Sequence, residues 1–479
     1  MNTQRWTLVV VCAATAMLML DIAVVNTALS RIAEDLQTGL GGLQWVVDAY
    51  TLALASVVLT AGALADRLGR RRLFAWGLGI FTVASLACGL AQDIHMLNAA
   101  RAVQGIGAAV MFAVSLALLA HAFPGARERA GALAAYGAAI GASFVVGPLL
   151  GGLLTSGLDW QWIFLVNLPI GIACLWITRR YVEESRDPNA HGIDWAGQAT
   201  LTAGLFLLVL ALLRGNEQGW TSTPIVLELA GAAIALIAFV IVERRVRHPM
   251  LPLRLFRDPS FTGAQIAAFA ISATFFAVFI YVTLYLQQIL GLSPIEAGLV
   301  YVPGMVLLVV VSGATAQLGT KLPARTMVAV GLGLVAVGMA TFTLAGAASS
   351  WTMMLPGLLV ASIGTGLFNP ALTNVALGSV PVEQSGVAAG ANDTFRQAGI
   401  AVGVAALGAL IPAEAAFGEG SPQSYVDGLH NALLVGAGVA AVGALAAGLL
   451  ISRHFGAAAP VPEAEPQPKP TLRPAFEAA

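Results

Sequence analysis

Charge is what this 479-residue chain has least of. Asp, Glu, Lys and Arg make up 10% of it and hydrophobic residues 58%, against roughly 25% and 45–50% in a soluble domain. A soluble globular fold is excluded on that ground. Lysine is nearly absent, with only Lys321 and Lys469. The three cysteines, Cys12, Cys88 and Cys174, each fall inside an apolar run, so no disulfide framework is implied. The six histidines show no metal-ligand spacing, and no metal site is expected. No G-x-x-x-x-G-K-S/T loop occurs, which excludes an ATP-driven pump built into the chain. Nor is there a nucleophile, metal or redox constellation, so no catalytic residue is assigned. No cofactor is expected, and no nucleic-acid partner.

What is abundant is apolar sequence in runs of about 20 residues or more; at ~1.5 Å per residue such a helix crosses a ~30 Å hydrocarbon core. Fourteen runs are read, at 6–29, 43–64, 73–91, 96–119, 130–154, 161–178, 195–213, 224–242, 261–289, 295–318, 324–346, 352–378, 385–411 and 430–451. The expected fold is an all-α integral membrane protein with 14 transmembrane helices. Arg5 before an apolar run has the look of a signal peptide, but Asp21 interrupts the run, which reads as a retained anchor. With the N-terminus inside, twenty basic residues fall on the cytoplasmic side and two, Arg31 and Arg214, outside. Arg101 and Arg396 lie within spans. That bias supports the count, the orientation and two cytoplasmic termini.

The densest charge sits in Gly62-Ala-Leu-Ala-Asp66-Arg67-Leu-Gly69-Arg70-Arg71-Arg72, between the second and third runs. A short charged hairpin there cannot lie in lipid and marks the cytoplasmic face, with Gly62 and Gly69 allowing close packing and a sharp turn. Its echo, Gly313-Ala-Thr-Ala-Gln-Leu-Gly319, lies 251 residues on and lacks the Asp-Arg pair. Val103-Gln-Gly-Ile-Gly107 is likewise echoed by Val360-Ala-Ser-Ile-Gly364. A duplicated bundle with a site between its halves is the plan of many secondary transporters. The expected division is a six-helix bundle over 1–178, linkers with two extra helices over 179–260, a second six-helix bundle over 261–455, and a disordered tail over 456–479.

Ionisable groups inside spans are the candidates for mechanism. Asp21 lies deep in the first span, where a carboxylate is costly. A group neutral when dry and ionised when wet suits a proton carrier; the alternative is a structural hydrogen bond to a neighbouring helix. Asp48 stands near the external end of the second span, where a solvated interfacial role competes. Arg101 needs a carboxylate partner, either Asp21 or Asp48. In the fifth span, Gly137/Gly141 and Gly147/Gly151 are small-x-x-x-small pairs, Gly152 follows, and Pro148 bends the helix. Asp393 and Arg396 are three apart on one helix; they either neutralise each other or present Asp393 to a cationic substrate. Asn26, Gln104, Gln265, Asn369 and Asn374 are polar candidates for a cavity wall.

With these residues in view, the chain resembles the fourteen-spanner drug/proton antiporter branch of the major facilitator superfamily over essentially its full length. The Gly62–Arg72 loop is similar to the superfamily signature. Leu97-Asn-Ala-Ala-Arg101-Ala-Val-Gln104-Gly105-Ile-Gly107 resembles its span-four motif, Gly137–Gly152 its antiporter motif, and Leu20–Leu29 with Trp160–Gly171 the motifs of this branch. Ser30 and Ala23 depart from the first-span pattern, where Pro and Thr are usual. The resemblance implies two six-helix bundles plus two extra central helices peripheral to the transport core. It further implies proton coupling by Asp21, Asp48 and Arg101, gating by Gly62, Asp66, Arg67, Gly69 and Arg70, with Asp66, Arg67 and Arg70 bracing the two halves on the cytoplasmic side, and a cavity including Asn26, Gln104, Asn369, Asp393 and Arg396. The function so implied is proton-coupled export of lipophilic drugs, cationic or not, or of a natural product. The partners would be a small molecule, protons and the bilayer, with the chain a monomer in a bacterial cytoplasmic membrane. An uptake symporter and a non-transporting receptor or scaffold are the alternatives; the glycine-proline motif and the intramembrane charges argue against them.

Overall fold

The computed structural model describes residues 2–186, 192–318, 322–381, 384–417 and 420–452. The expected disordered tail, 456–479, lies outside them. Among the described residues there are fourteen long helices: α1 (Asn2–Asp35), α2 (Leu40–Leu68), α3 (Arg70–Gly89), α4 (Ile94–Ala122), α5 (Ala126–Gly157), α6 (Trp162–Tyr181), α7 (Trp195–Gln218), α8 (Thr223–Arg245), α9 (Pro259–Ile289), α10 (Pro294–Leu318), α11 (Ala324–Phe342), α12 (Leu355–Gly378), α13 (Ser385–Gly408) and α14 (Pro422–Leu450). Thirteen are long and apolar enough to cross a membrane. The exception is α13, 24 residues long, whose run is broken by Asn392, Asp393, Arg396 and Gln397.

Helix boundaries follow local chemistry. Asp93 caps α4 by accepting from the His95 and Met96 amides at 2.8 and 2.9 Å, and Pro opens α8, α9, α12 and α14. Gly69 separates α2 from α3 with φ 106°, a conformation costly for any residue with a Cβ. Two single-turn π stretches, Ser272–Phe276 and Tyr285–Ile289, interrupt α9. Each rotates the residues C-terminal to it about the helix axis.

Helices α1–α6 pack as one bundle and α9–α14 as another. The internal repeat appears as the same close crossing in each. A Cβ on Gly107 would lie 2.6 Å from the Phe81 nitrogen, where α4 meets α3. One on Gly364 would overlap the Gly331 carbonyl oxygen, where α12 meets α11. Such contacts let backbones approach where lipid offers no hydrophobic drive between helices.

The bundles meet along α2–α13 and α5–α10. At the face opposite the Gly62–Arg72 loop, Gln44 Nε2 donates to the Tyr281 hydroxyl at 2.8 Å and Gln287 Nε2 to the Thr27 carbonyl at 2.9 Å. A Cβ on Gly298 would overlap the Pro148 carbonyl oxygen, and one on Gly152 would sit 2.6 Å from Ile295 Cα. Toward the arginine-rich face the halves part.

The two central helices are not both peripheral. Leu201, Leu205, Val209 and Leu213 of α7 share an apolar cluster with α2 (Leu52, Ala55, Leu59) and α13 (Ala391, Ala398, Ala401, Ala405). Thr60 hydrogen-bonds Gln198, and Asn216 donates to the Ala409 carbonyl. Helix α7 therefore stands on the α2–α13 seam and touches both bundles, while α8 packs outside it, exposing Leu227 and Ile234. Glu228, near the start of α8, pairs with Arg214 of α7.

Gly298→Val tests the α5–α10 seal. The added side chain meets backbone, so it should cost about 1–3 kcal/mol and widen the helices at the face opposite the loop. Spin-label distances between α5 and α10, with thermal unfolding, would read both effects; unchanged distances would count against the seal.

Candidate functional site

Five helices of the first bundle converge on one buried carboxylate. Asp21 of α1 and Arg101 of α4 are 1% and 2% exposed and form a salt bridge through Oδ2 and Nη1. Asp21 Oδ1 accepts from Gln104 Nε2 at 2.8 Å and from Asn167 Nδ2 of α6 at 3.1 Å. Gln104 also accepts from Arg101 Nη1 at 2.7 Å and donates to the Ser85 hydroxyl of α3 at 2.9 Å. Arg101 Nε donates to the Val46 carbonyl of α2 at 3.0 Å. Its guanidinium carbon lies 4.3 Å from the Tyr50 ring centroid and 5.6 Å from that of Phe164. The ion pair is thus held by hydrogen bonds on both partners and by aromatic faces beside the cation, which a charge buried in a membrane protein requires.

The partner of Arg101 is Asp21, not Asp48. Asp48 is fully buried, with neither carboxylate oxygen hydrogen-bonded. The competing solvated role does not hold, because the second bundle covers this part of α2, through Tyr281 and α13. Gln104, expected on a cavity wall, is buried inside the first bundle instead, because both its amide atoms are drawn to Asp21, Arg101 and Ser85. Asn167, Ser85 and Tyr50 went unassigned in the sequence; Asn167 alone left a signal there, as the one amide in the apolar stretch 162–171.

Tyr50 and Arg101 reach the wall of a cavity of about 2640 Å³ between the bundles. Its walls are mainly apolar and aromatic, including Phe144, Phe275, Phe276 and Phe279, and it extends to Asp66, Arg129 and Arg244 at the arginine-rich face. Asn26, Asn369, Asp393 and Arg396 line it, as does Asn392, whose amide approaches Gln265 at 3.4 Å. Asp393 and Arg396 form no salt bridge: Arg396 Nη1 donates to Asn369 Oδ1 at 3.0 Å, and its guanidinium carbon lies 5.7 Å from the Phe276 ring centroid. Each charge therefore faces the cavity without the other in direct contact.

The loop at Gly69 is tied within the first half. Asp66 Oδ1 accepts from Arg70 Nη2 at 2.8 Å, the Arg70 amide donates to the Ser185 carbonyl at 2.8 Å, and the Arg71 amide to Glu184 Oε1 at 3.0 Å. Arg67 is exposed. The bracing of the two halves expected here is absent from this conformation among the described residues, because the cavity separates them at this face. Gly62 and Gly137 have open space at the Cβ position and Gly141 only an ordinary contact, with Val309. Close approach is confined to Gly147 and Gly151, against Ala23, Val24 and Thr27 of α1, and to Gly152 against α10.

Two helical bundles related by an internal repeat, closed together at one face and parted around a deep cavity toward the other, have the architecture of a secondary transporter. The chain belongs to the Major Facilitator Superfamily, whose family model matches residues 11–404. It is 37% identical over 415 residues to the multidrug resistance protein Stp of Mycobacterium tuberculosis, covering 86% of this chain and 76% of that protein. It is 34% identical over 410 residues to the methylenomycin A resistance protein of Streptomyces coelicolor, covering 85% and 86%. With the cephamycin export protein CmcT of Amycolatopsis lactamdurans it shares 36% over 412 residues, 85% of each. Its fold matches the solved structure of a peptide transporter, POT, in complex with sulfate, at TM-score 0.68 and 14% identity over 93% of this chain and 95% of that one.

Asp21→Ala should strand the Arg101 guanidinium and cost about 3–5 kcal/mol. Adding Arg101→Met should recover part of that loss, since no buried charge then remains. Thermal unfolding of the two single variants and the double variant would measure the coupling; strict additivity would mean that the pair contributes nothing as a pair.

Proposed function

We propose that this protein is a proton-driven exporter of lipophilic small molecules, drugs or a natural product, working by alternating access in a bacterial cytoplasmic membrane. The observation that carries the reading is the buried Asp21–Arg101 pair behind the wall of a large, mostly apolar, one-sided cavity. The named activities of the relatives (drug resistance, antibiotic resistance and cephamycin export) support it. The arginine-rich face is read as cytoplasmic, with both termini on that side and the chain a monomer. The cavity then faces the side from which an exporter loads.

In this reading Asp21 alternates between paired anion and neutral acid. When it takes a proton, Arg101 loses its counter-charge but keeps Gln104 Oε1, the Val46 carbonyl and two ring faces, so the guanidinium is never left without partners. Coupling requires only that proton and cargo stabilise the same conformations to different degrees. In the same reading Asp48, buried against the second bundle at the sealed face, takes part in proton coupling by responding to whether that face is closed. Asp393, Arg396 and Asn369 offer polar anchors in an aromatic cavity, which suits cargo with an apolar body and few polar groups. No cofactor is required, the proton gradient being the energy source.

The test uses purified protein in liposomes loaded with a lipophilic dye cation under an imposed pH gradient. Gradient-driven dye movement is expected in the wild type and should fall to the rate of protein-free vesicles in Asp21→Asn. Movement that persists in Asp21→Asn but vanishes in Asp48→Asn or Asp393→Asn would move the coupling to that residue. Dye movement indifferent to the gradient would overturn proton coupling.

A further inference from the structure

The two central helices bring together a pair of carboxylates that the transport reading does not use. Asp194 caps α7, its Oδ1 accepting from the Gly197 amide at 2.7 Å. Glu243 lies in the last turn of α8, its Oε2 accepting from the Leu251 amide at 3.1 Å. The two residues are 5% and 4% exposed. Their remaining oxygens, Asp194 Oδ2 and Glu243 Oε1, are buried and have no hydrogen-bond partner. Both point at one place: a Cβ on Gly197 would lie 2.6 Å from the first and 2.9 Å from the second. Glycine at 197 leaves room for the two oxygens to face each other.

Charged groups surround the pair on several elements. Near it, α8 carries Arg244 and Arg245, the segment after it Arg247, His248, Arg254, Arg257 and Asp258, and the end of α2 Asp66 and Arg67; Asp48 on α2 and Arg214 on α7, which pairs with Glu228, lie toward the opposite ends of their helices, and Asp393 and Arg396 in the middle of α13. Among the described residues none forms a salt bridge with Asp194 or Glu243. Two ionised carboxylates facing each other through oxygens shielded from solvent repel, and desolvation adds to the cost of each. One hydrogen shared between them satisfies both orphan oxygens at once.

We propose that Asp194 and Glu243 form a proton-binding site at the arginine-rich face, holding one proton between them, separate from Asp21 and Asp48. The site clasps a corner of the molecule. Glu243 fixes the turn at Leu251; Met250 and Leu251 pack in the cluster with Leu52, Ala55 and Leu59 of α2, and Met250 Sδ lies 3.9 Å from Thr60 Oγ1. Losing the proton leaves two anions face to face and loosens that turn from the end of α2 that carries Asp66. The folded protein then keeps a proton that unfolded carboxyl groups release well below neutral pH. Stability should accordingly fall as pH rises through the range where the pair gives it up.

The inference goes beyond the export reading, and its test measures no transport. Thermal unfolding of the purified full-length protein in detergent would be followed from mildly acidic to mildly alkaline pH for wild type, Glu243→Gln and Asp194→Asn. Both variants keep an acceptor for the backbone amide and can bridge the gap with a side-chain amide. A fall in Tm of a few degrees with rising pH is expected in the wild type and should be much smaller in each variant. Infrared spectra should show a protonated-carboxyl band that vanishes at alkaline pH and is missing from both variants, a reading that stands even if one variant is too unstable to melt cleanly. Equal pH slopes in all three proteins, or a band unchanged in both variants, would overturn the site. So would sodium, potassium or magnesium stabilising the wild type at alkaline pH as well as acid does, since the ligand would then be a metal cation.

Discussion

A carboxylate and a guanidinium cannot be left in a lipid-embedded bundle unless every neighbour helps to hold them, and in the first half of this protein the neighbours do. Asp21 and Arg101 draw in Gln104 from their own surroundings, Ser85 from α3, Asn167 from α6, and a carbonyl and a ring from α2. Each is a short-range demand, and together they set how five helices lie against one another. Removing one charge leaves the other without compensation in a medium that cannot supply it, so the pair is better seen as a constraint on the bundle than as a contribution added to it. The same arrangement allows the acid to change protonation state, because the cation has other acceptors to fall back on.

The rest of the architecture depends on where backbones touch. At one face the halves are joined by Gln44 with Tyr281, Gln287 with Thr27, and the Gly152–Ile295 and Gly298–Pro148 approaches. These contacts leave no room for cargo there, and the cavity opens by default toward the other face. The loop with the highest charge density lies at that open face, yet its ion pair and backbone hydrogen bonds stay within the first half.

Much of this was legible in the sequence because membrane helices announce themselves by length and hydropathy, and because a guanidinium inside a span demands a partner. Gly69 was readable as a turn and has the positive φ that only glycine takes readily. What could not be read was which side of each helix faces which neighbour. Asp48 and Gln104 show the difference: both are polar residues in apolar runs, indistinguishable by composition from true cavity liners such as Asn26. One is covered by the second bundle and the other is absorbed by the ion pair. Gly137 and Gly147 belong to the same apparent motif, but only Gly147 meets a helix at close range. The spacing of Asp393 and Arg396 permitted mutual neutralisation, whereas Asn369 and Phe276, distant in sequence, claim the arginine.

The hairpin of α7 and α8 has a consequence in parity. Each helix crossing reverses the direction of the chain, so one added helix between the halves would present the second bundle upside down to the first. The paired crossings at Gly107 and Gly364 would then point in opposite senses, and the contacts of α5 with α10 and of α2 with α13 would have no matching surfaces. Two helices restore the direction. An insertion at this point in the chain therefore has to come in even numbers, and a hairpin whose first helix grips both halves is the smallest insertion that meets the condition.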